Sequence, residues 1–218
     1  MIAKDKQILI VTAVEAEKEA ILKGLHNTNN IHVIAAGVGP SSAAANTTRA
    51  ICSSKYDVVI SMGIGGGFAD VVEVGSIVIA NEIIAADLGV ETAEGFCRLD
   101  ELGFGSTLLK VDINLMNKVY QALKTTELIV HIGPILTLST VTGTSETALK
   151  LTNRIKGAAV EAMEGFGVAT AAHELNIPFL EIRSISNPVG PRDREAWRMK
   201  EAFEGLTKTS TILQEVFN

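Results

Sequence analysis

Short apolar runs rich in β-branched residues alternate with amphipathic stretches along the whole chain, and glycine, proline or polar residues close each run. That alternation predicts strands interleaved with helices in one layered α/β domain spanning residues 1–218. Residues 8–13 read as a buried first strand. Residues 15–25 follow as a helix whose first turn holds Glu15 and Glu17, where the helix dipole favours carboxylates. Residues 31–36 form a second strand, and Gly37-Val38-Gly39-Pro40-Ser41-Ser42 turns the chain into a small-residue helix over 43–51. A third strand, 57–62, runs into a glycine-rich turn at 63–67. Further strand follows at 76–80 and 83–86, a helix at 111–123 and a long strand at 128–138. A helix over 145–155 is opened by Ser145 and Glu146, and a short strand covers 158–161. Residues 164–175 are helical and dense in small side chains, 179–185 are the last buried strand, 187–194 a loop, and a final helix reaches about residue 217. Residues 89–105 have no period and carry two isolated aromatics, Phe96 and Phe104, which marks a lid or a subunit contact. The order predicts a three-layer α/β/α fold around a mixed central sheet, with the functional site beyond the carboxyl ends of strands.

Composition narrows the function classes. With 47% hydrophobic and 20% charged residues the chain is too apolar to be disordered. Nineteen Lys plus Arg against 25 Asp plus Glu give a net charge of −6, and no basic block is present to neutralise a row of phosphates, so nucleic acid is not an expected partner. Every apolar run is interrupted before the roughly 20 residues of a membrane span; the nearest case, 128–145, contains His131 and Pro134. The run after Lys4 and Lys6 is short and lacks a small-residue cleavage site, so no export signal is read. Cys52 and Cys97 make neither a disulfide framework nor a metal site, which suits a reducing cytoplasm. His26, His32 and His173 form no ligand pattern and His131 reads as a core histidine, so neither metal nor cofactor is expected.

Four places can carry chemistry. Glu15 and Glu17 follow the first strand, where a carboxylate serves either the helix dipole or as a general base on water. The glycines at 63–67 either let a ligand approach the backbone or make a tight turn against a neighbouring strand; they fit neither G-x-G-x-x-G nor a P-loop. Val160-Glu161-Ala162-Met163-Glu164-Gly165 sets two carboxylates at a strand–helix junction, where Glu164 either caps the helix or accepts hydrogen bonds from a sugar diol beside the Met163 thioether. Ser184-Ile185-Ser186-Asn187 ends the last strand in polar residues and leads into a proline-stiffened loop holding Arg192, Asp193, Arg194 and the one tryptophan, Trp197.

Taken together, Ala13-Val14-Glu15-Ala16-Glu17, Gly37-Val38-Gly39, Met62-Gly63-Ile64-Gly65-Gly66, the Glu161–Gly165 segment and Ile185-Ser186-Asn187 resemble the nucleoside phosphorylase and nucleosidase superfamily over nearly the whole chain. Within it, Glu161-Ala162-Met163-Glu164-Gly165-Phe166-Gly167-Val168-Ala169 and Ser186-Asn187-Pro188-Val189-Gly190-Pro191-Arg192-Asp193 with Ala196-Trp197 are similar to the futalosine hydrolase family of menaquinone biosynthesis. The resemblance implies a phosphorylase/hydrolase-like fold, a small nucleoside as substrate and a homo-oligomer, dimer or tetramer. It also implies cleavage of a purine N-glycosidic bond through an oxocarbenium-like state. By position it makes Glu17 the base for water, Glu164 with Met163 the ribose-binding pair and Asn187 the purine reader. Ile64, Gly65, Gly66, Thr144 and Ser186 join the substrate-binding set, and Asp193 or water supplies the leaving-group proton. Relatives that release adenine carry an aspartic acid at the Asn187 position. An amide donates no proton at neutral pH but matches N7 and O6 of a 6-oxopurine, which favours hypoxanthine. Phosphorylases of the superfamily carry an arginine and a serine around the third-strand glycines, where Ser61 and Ile64 stand here, and the missing cation favours water over phosphate. Futalosine carries a carboxylated aromatic ketone on its 5′ side, for which a guanidinium of Arg192, Arg194 or Arg198 beside the Trp197 ring is a candidate partner. A methylthioadenosine/adenosylhomocysteine nucleosidase is the next reading, then a phosphorylase, and a nucleoside-binding protein without turnover is the rival from another class.

Overall fold

A computed structural model describes residues 6–26 and 28–217. The expected alternation is present. The first half of the chain gives β1 (Ile8–Thr12), α1 (Glu15–Gly24), β2 (Ile31–Ala35), α2 (Pro40–Ser53), β3 (Val58–Gly67) and β4 (Ile77–Ala85). After β5 (Gly89–Thr92), β6 (Gly95–Arg98) and β7 (Leu108–Lys110) come α3 (Ile113–Lys124), β8 (Val130–Thr137) and α4 (Ser145–Arg154). The chain closes with β9 (Val160–Ala162), α5 (Gly165–Glu174), β10 (Phe179–Pro188) and α6 (Met199–Phe217).

The strands form one mixed sheet in the order β10-β4-β8-β9-β3-β1-β2, with β7 on β4. Because β10 also pairs with β3, the strands β3, β10, β4, β8 and β9 join into a ring, and β1 and β2 extend it on one side. Alternation along β1 shows how the layers are filled. Ile8 and Ile10 belong to a core with Ile21, Met116, Val119, Leu206 and Leu213, the side of α1, α3 and α6. Leu9 and Val11 belong to a second core with Ala43, Val168, Ala169 and Ala172, the side of α2 and α5. Small residues let α2 and α5 pack closely there. This is the three-layer α/β/α arrangement, and α4 seals a third, smaller cluster with Leu151 and Ile155. Among the described residues no helix is long and apolar enough to cross a membrane.

Four sequence expectations are corrected. Residues 63–67 are not a turn after the third strand: β3 runs through them, because both flanks are paired, Gly66 with Asn187 of β10 on one side and with Glu161 of β9 on the other. For the same reason β10 does not stop at Ile185 but continues past a bulge to Pro188, which places Asn187 on a strand. Residues 89–105 are not aperiodic, since β5 and β6 make a hairpin with Gly95 in a positive-φ turn. His131 is half-buried rather than core, and its Nε2 lies 2.8 Å from Glu73 Oε2.

Candidate active site

The carboxyl end of β1 runs straight into α1, so the first-turn residue Glu17 faces back over the strand ends. It is buried, and backbone amides hold both of its oxygens: Oε2 accepts from Ala13 N at 2.9 Å and Val14 N at 3.2 Å, and Oε1 accepts from Ile64 N at 2.9 Å. Three fixed donors leave the carboxylate one position, which suits a group that must meet a reacting atom. Gly63 makes the approach possible. A Cβ there would lie 2.6 Å from Glu17 Oε1 and 2.7 Å from an Arg183 guanidinium nitrogen, so only a residue without a side chain admits both.

Arg183 is the residue that sequence reasoning missed. It lies on β10 at 1% exposure, and its fork is fully engaged. Nε donates to Glu181 Oε1 at 2.8 Å, one terminal nitrogen donates to Ser61 Oγ at 3.0 Å, and the other lies 3.6 Å from Glu164 Oε2 and 3.5 Å from the Ile64 carbonyl. Burial pushes its pKa down, but the charges of Glu181, Glu164 and Glu17 outweigh that and hold the guanidinium above its ordinary value. Glu181 is raised by its burial, against the pull of Arg183. The expectation that no cation stands beside the third-strand glycines is therefore corrected: Arg183 reaches there from β10. Three carboxylates surround this one cation, so it presents no free positive charge to a phosphate.

Glu164 is buried at the start of α5 without capping that helix. Instead its Oε1 accepts from Gly39 N at 3.2 Å, which ties it to the glycine turn before α2, and its other oxygen faces Arg183. Glu17, Glu164, Met163, Ile64 and Gly65 line one cavity of about 260 Å³, and Gly66, Glu161, Ser186, Asn187 and Trp197 complete its other walls. The Ser186 hydroxyl donates its one proton to Asn187 Oδ1 at 2.8 Å, with the Gly65 carbonyl 3.2 Å away, while Asn187 Nδ2 donates to the Pro188 carbonyl at 2.9 Å. That fixes the amide plane and leaves it one N–H and one lone pair.

The remaining sequence candidates stand apart from the cavity wall. Thr144 caps α4, its hydroxyl accepting from Thr147 N at 3.1 Å. Asp193 accepts from Glu195 N at 3.0 Å and opens the short 3₁₀ turn at Arg194–Ala196. Arg192 is exposed, with its guanidinium 5.5 Å from the Trp197 ring centre, a cation–π contact beside the cavity. A broader groove of about 700 Å³ between α1 and α6 contains none of the residues singled out above. Among the described residues no group of three or more His, Cys, Asp or Glu side chains gathers as a metal site would.

The chain matches the Phosphorylase superfamily over residues 5–216. It is 44% identical to a futalosine hydrolase of Streptomyces coelicolor, with 92% of each chain covered. The chain belongs to the futalosine hydrolase family. Solved structures that share its fold include two of related activity. They are a 5′-methylthioadenosine/S-adenosylhomocysteine nucleosidase of Neisseria meningitidis in complex with methylthio-immucillin-A (TM-score 0.84, 21% identity, 97% of this chain and 98% of that one) and a futalosine hydrolase of Helicobacter pylori (TM-score 0.81, 18% identity, 97% of each). The mixed α/β fold of this chain is thus the phosphorylase-like one.

Proposed function

We propose that this chain hydrolyses the purine N-glycosidic bond of futalosine, releasing hypoxanthine and dehypoxanthine futalosine. The observation that carries the reading is the pairing of Glu17 and Glu164 around Arg183 on the wall of a cavity that Asn187 also lines. A water beside Glu17 attacks C1′ as the bond to N9 breaks; Glu17 takes the water's proton, and the bonding electrons leave with the purine, which takes a proton from solvent water to depart as neutral hypoxanthine. Glu164 accepts from the ribose hydroxyls while Met163 packs on the sugar. Developing positive charge on the ribosyl ring meets the wall carboxylates Glu17 and Glu164, with the Arg183–Glu181 pair buried behind them, which stabilises the transition state more than the neutral substrate. Asn187 Nδ2 donates to O6 of the base and its Oδ1 accepts from N7 as N7 becomes protonated on departure, and Trp197 with Arg192 takes the carboxylated 5′ arm.

The same charge balance favours water over phosphate. A phosphate dianion entering beside Glu17 would lose its hydration and meet net negative charge, since every Arg183 nitrogen is already engaged. Adenine release is disfavoured because the amide of Asn187 donates no proton to N7.

The assembly we infer is a homo-oligomer, dimer or tetramer, in the cytoplasm. Phe104 is 71% exposed after the β5–β6 hairpin, and Val38, on the cavity wall, is 55% exposed; an apolar partner surface would cover both. Cys52 and Cys97 are free thiols, as a reducing compartment keeps them. Chromatography of products from futalosine, inosine and methylthioadenosine, each with and without phosphate, tests the reaction. Hypoxanthine from futalosine, indifferent to phosphate, is expected; adenine from methylthioadenosine or a phosphate requirement would contradict it.

A further inference from the structure

Glu181 is buried and titratable, and no step of the chemistry above uses it. It stands on β10 two residues before Arg183 at 0% exposure, and it does not border the cavity. A carboxylate so far from water is costly to keep unless a partner compensates it. Its Oε1 accepts from Arg183 Nε at 2.8 Å, an ion pair because a guanidinium keeps its proton. Its Oε2 has no hydrogen-bond partner among the described residues and lies against the backbone at the start of α5, 1.9 Å from where a Gly165 Cβ would stand. Any side chain there would expel the carboxylate, so only a glycine beside Glu164 admits Glu181.

The charges around Arg183 show what this arrangement does. On the cavity side one terminal nitrogen lies 3.6 Å from Glu164 Oε2, and the gap at Gly63 brings the same nitrogen near Glu17: a Cβ there would meet Arg183 Nη1 at 2.7 Å and Glu17 Oε1 at 2.6 Å. On the other side Nε meets Glu181. Among the described residues, the charges that act on Arg183 are those of Glu181, Glu164 and Glu17; the flanking strands add the Ser61 hydroxyl and the Ile64 carbonyl of β3 and the apolar Val78 of β4. A guanidinium balanced by Glu17 and Glu164 alone would cancel much of their negative charge at the wall where the ribosyl cation develops. Glu181 cancels the guanidinium from the far side. Arg183 then holds the wall without spending the charge of the two carboxylates that face the substrate.

Resting on the proposed cleavage of futalosine, we propose that Glu181 is a positioning residue for that reaction: from behind the wall it anchors and neutralises Arg183, so that Glu17 and Glu164 present uncompensated negative charge to the ribosyl cation. Glu181 touches neither substrate nor water and acts through Arg183. Its charge matters where positive charge has developed and little before, so its loss lowers kcat and leaves KM for futalosine nearly as it was.

The test compares two uncleavable ligands by calorimetry, beside hypoxanthine release from futalosine. One is the 9-deazahypoxanthine nucleoside whose ring oxygen is replaced by a protonated nitrogen; the other is 9-deazainosine, its neutral counterpart. Both are measured on the native protein, on E181Q, which keeps the shape and loses the charge, and on E181D, which keeps the charge and loses reach. The native protein is expected to prefer the cationic ligand by about 10²-fold or more. In E181Q that preference falls about tenfold, kcat on futalosine falls by a similar factor, and KM stays within about threefold. E181D keeps the preference within about threefold of native, even where its kcat is lower. A purely structural role would weaken both ligands alike and leave their ratio unchanged. E181M, uncharged and of like length, gives the reading expected of E181Q where the buried amide folds poorly. A preference within about twofold of native in E181Q or E181M, or one that falls as far in E181D as in E181Q, overturns the assignment of Glu181 alone. A native protein that releases no hypoxanthine from futalosine overturns the reaction it rests on.

Discussion

The two ends of the cavity are built on opposite plans. At the Arg183 end, both oxygens of Glu17 and every nitrogen of the guanidinium have protein partners, and Gly63 gives way so that the groups can meet. At the Asn187 end, the amide is oriented but keeps bonding capacity, and Arg192 stacks on Trp197 beside the cavity. The first plan fixes positions before any ligand arrives, as chemistry on a water requires. The second leaves polar atoms for the ligand to satisfy, which is how a site rejects the wrong base. On the proposed function, one cavity separates the residues that set rate from those that set choice.

Substitutions can break that division. The largest effect is expected from E17Q, which keeps the shape and removes the base: kcat on futalosine falls about 10³-fold, while hypoxanthine affinity, read by calorimetry, stays within about threefold. R183M strands three buried carboxylates and is expected to cost about 3–5 kcal/mol, a fall in Tm of roughly 10 °C that R183K recovers in part. N187D acts at the other end. The ratio of futalosine cleavage to cleavage of its 6-amino counterpart should drop by about 10²-fold, from lost affinity for the 6-oxo base and from a new acid at N7. R192A raises KM for futalosine about three- to tenfold with kcat unchanged, and an unchanged KM would remove the arginine from the 5′ arm.

The smallest effect concerns stability and pH. Burial raises the Glu161 carboxyl in the folded chain, so the fold holds that proton more tightly than the unfolded chain does. Stability therefore falls as pH rises from the ordinary carboxylate range through the raised value, and stays lower above it. E161Q removes that loss, so it should melt at a higher temperature than the native protein at pH 7, with the gap closing below about pH 4. Thermal melts across that range check the sign.

Much of this arrangement was legible in the sequence, and the exceptions have physical reasons. Alternating apolar runs and first-turn carboxylates marked β1, α1 and Glu17, and the strand–helix junction marked Glu164. Asn187 was visible as a polar end to an apolar strand. Arg183 and Glu181 were not singled out, although they alternate at i and i+2 within that strand and so point to one side of it. A charged pair inside an apolar run was the signal that could have found them. The glycines at 63–67 read as a turn because glycine disfavours strands; β9 and β10 impose the strand from both sides, a contact between distant segments. Thr144 and Asp193 lie among motif residues, but their side chains cap the next helical turn rather than reach the cavity.

The central claim, that a water held by Glu17 is the nucleophile, is tested most directly by turning futalosine over in ¹⁸O-water with phosphate present, using native protein and E17Q. The account predicts one ¹⁸O on C1 of the ribosyl product, no sugar phosphate, and a rate in E17Q lower by about 10³-fold. A ribosyl 1-phosphate product that keeps the 5′ arm, or an E17Q rate within tenfold of native, would contradict it.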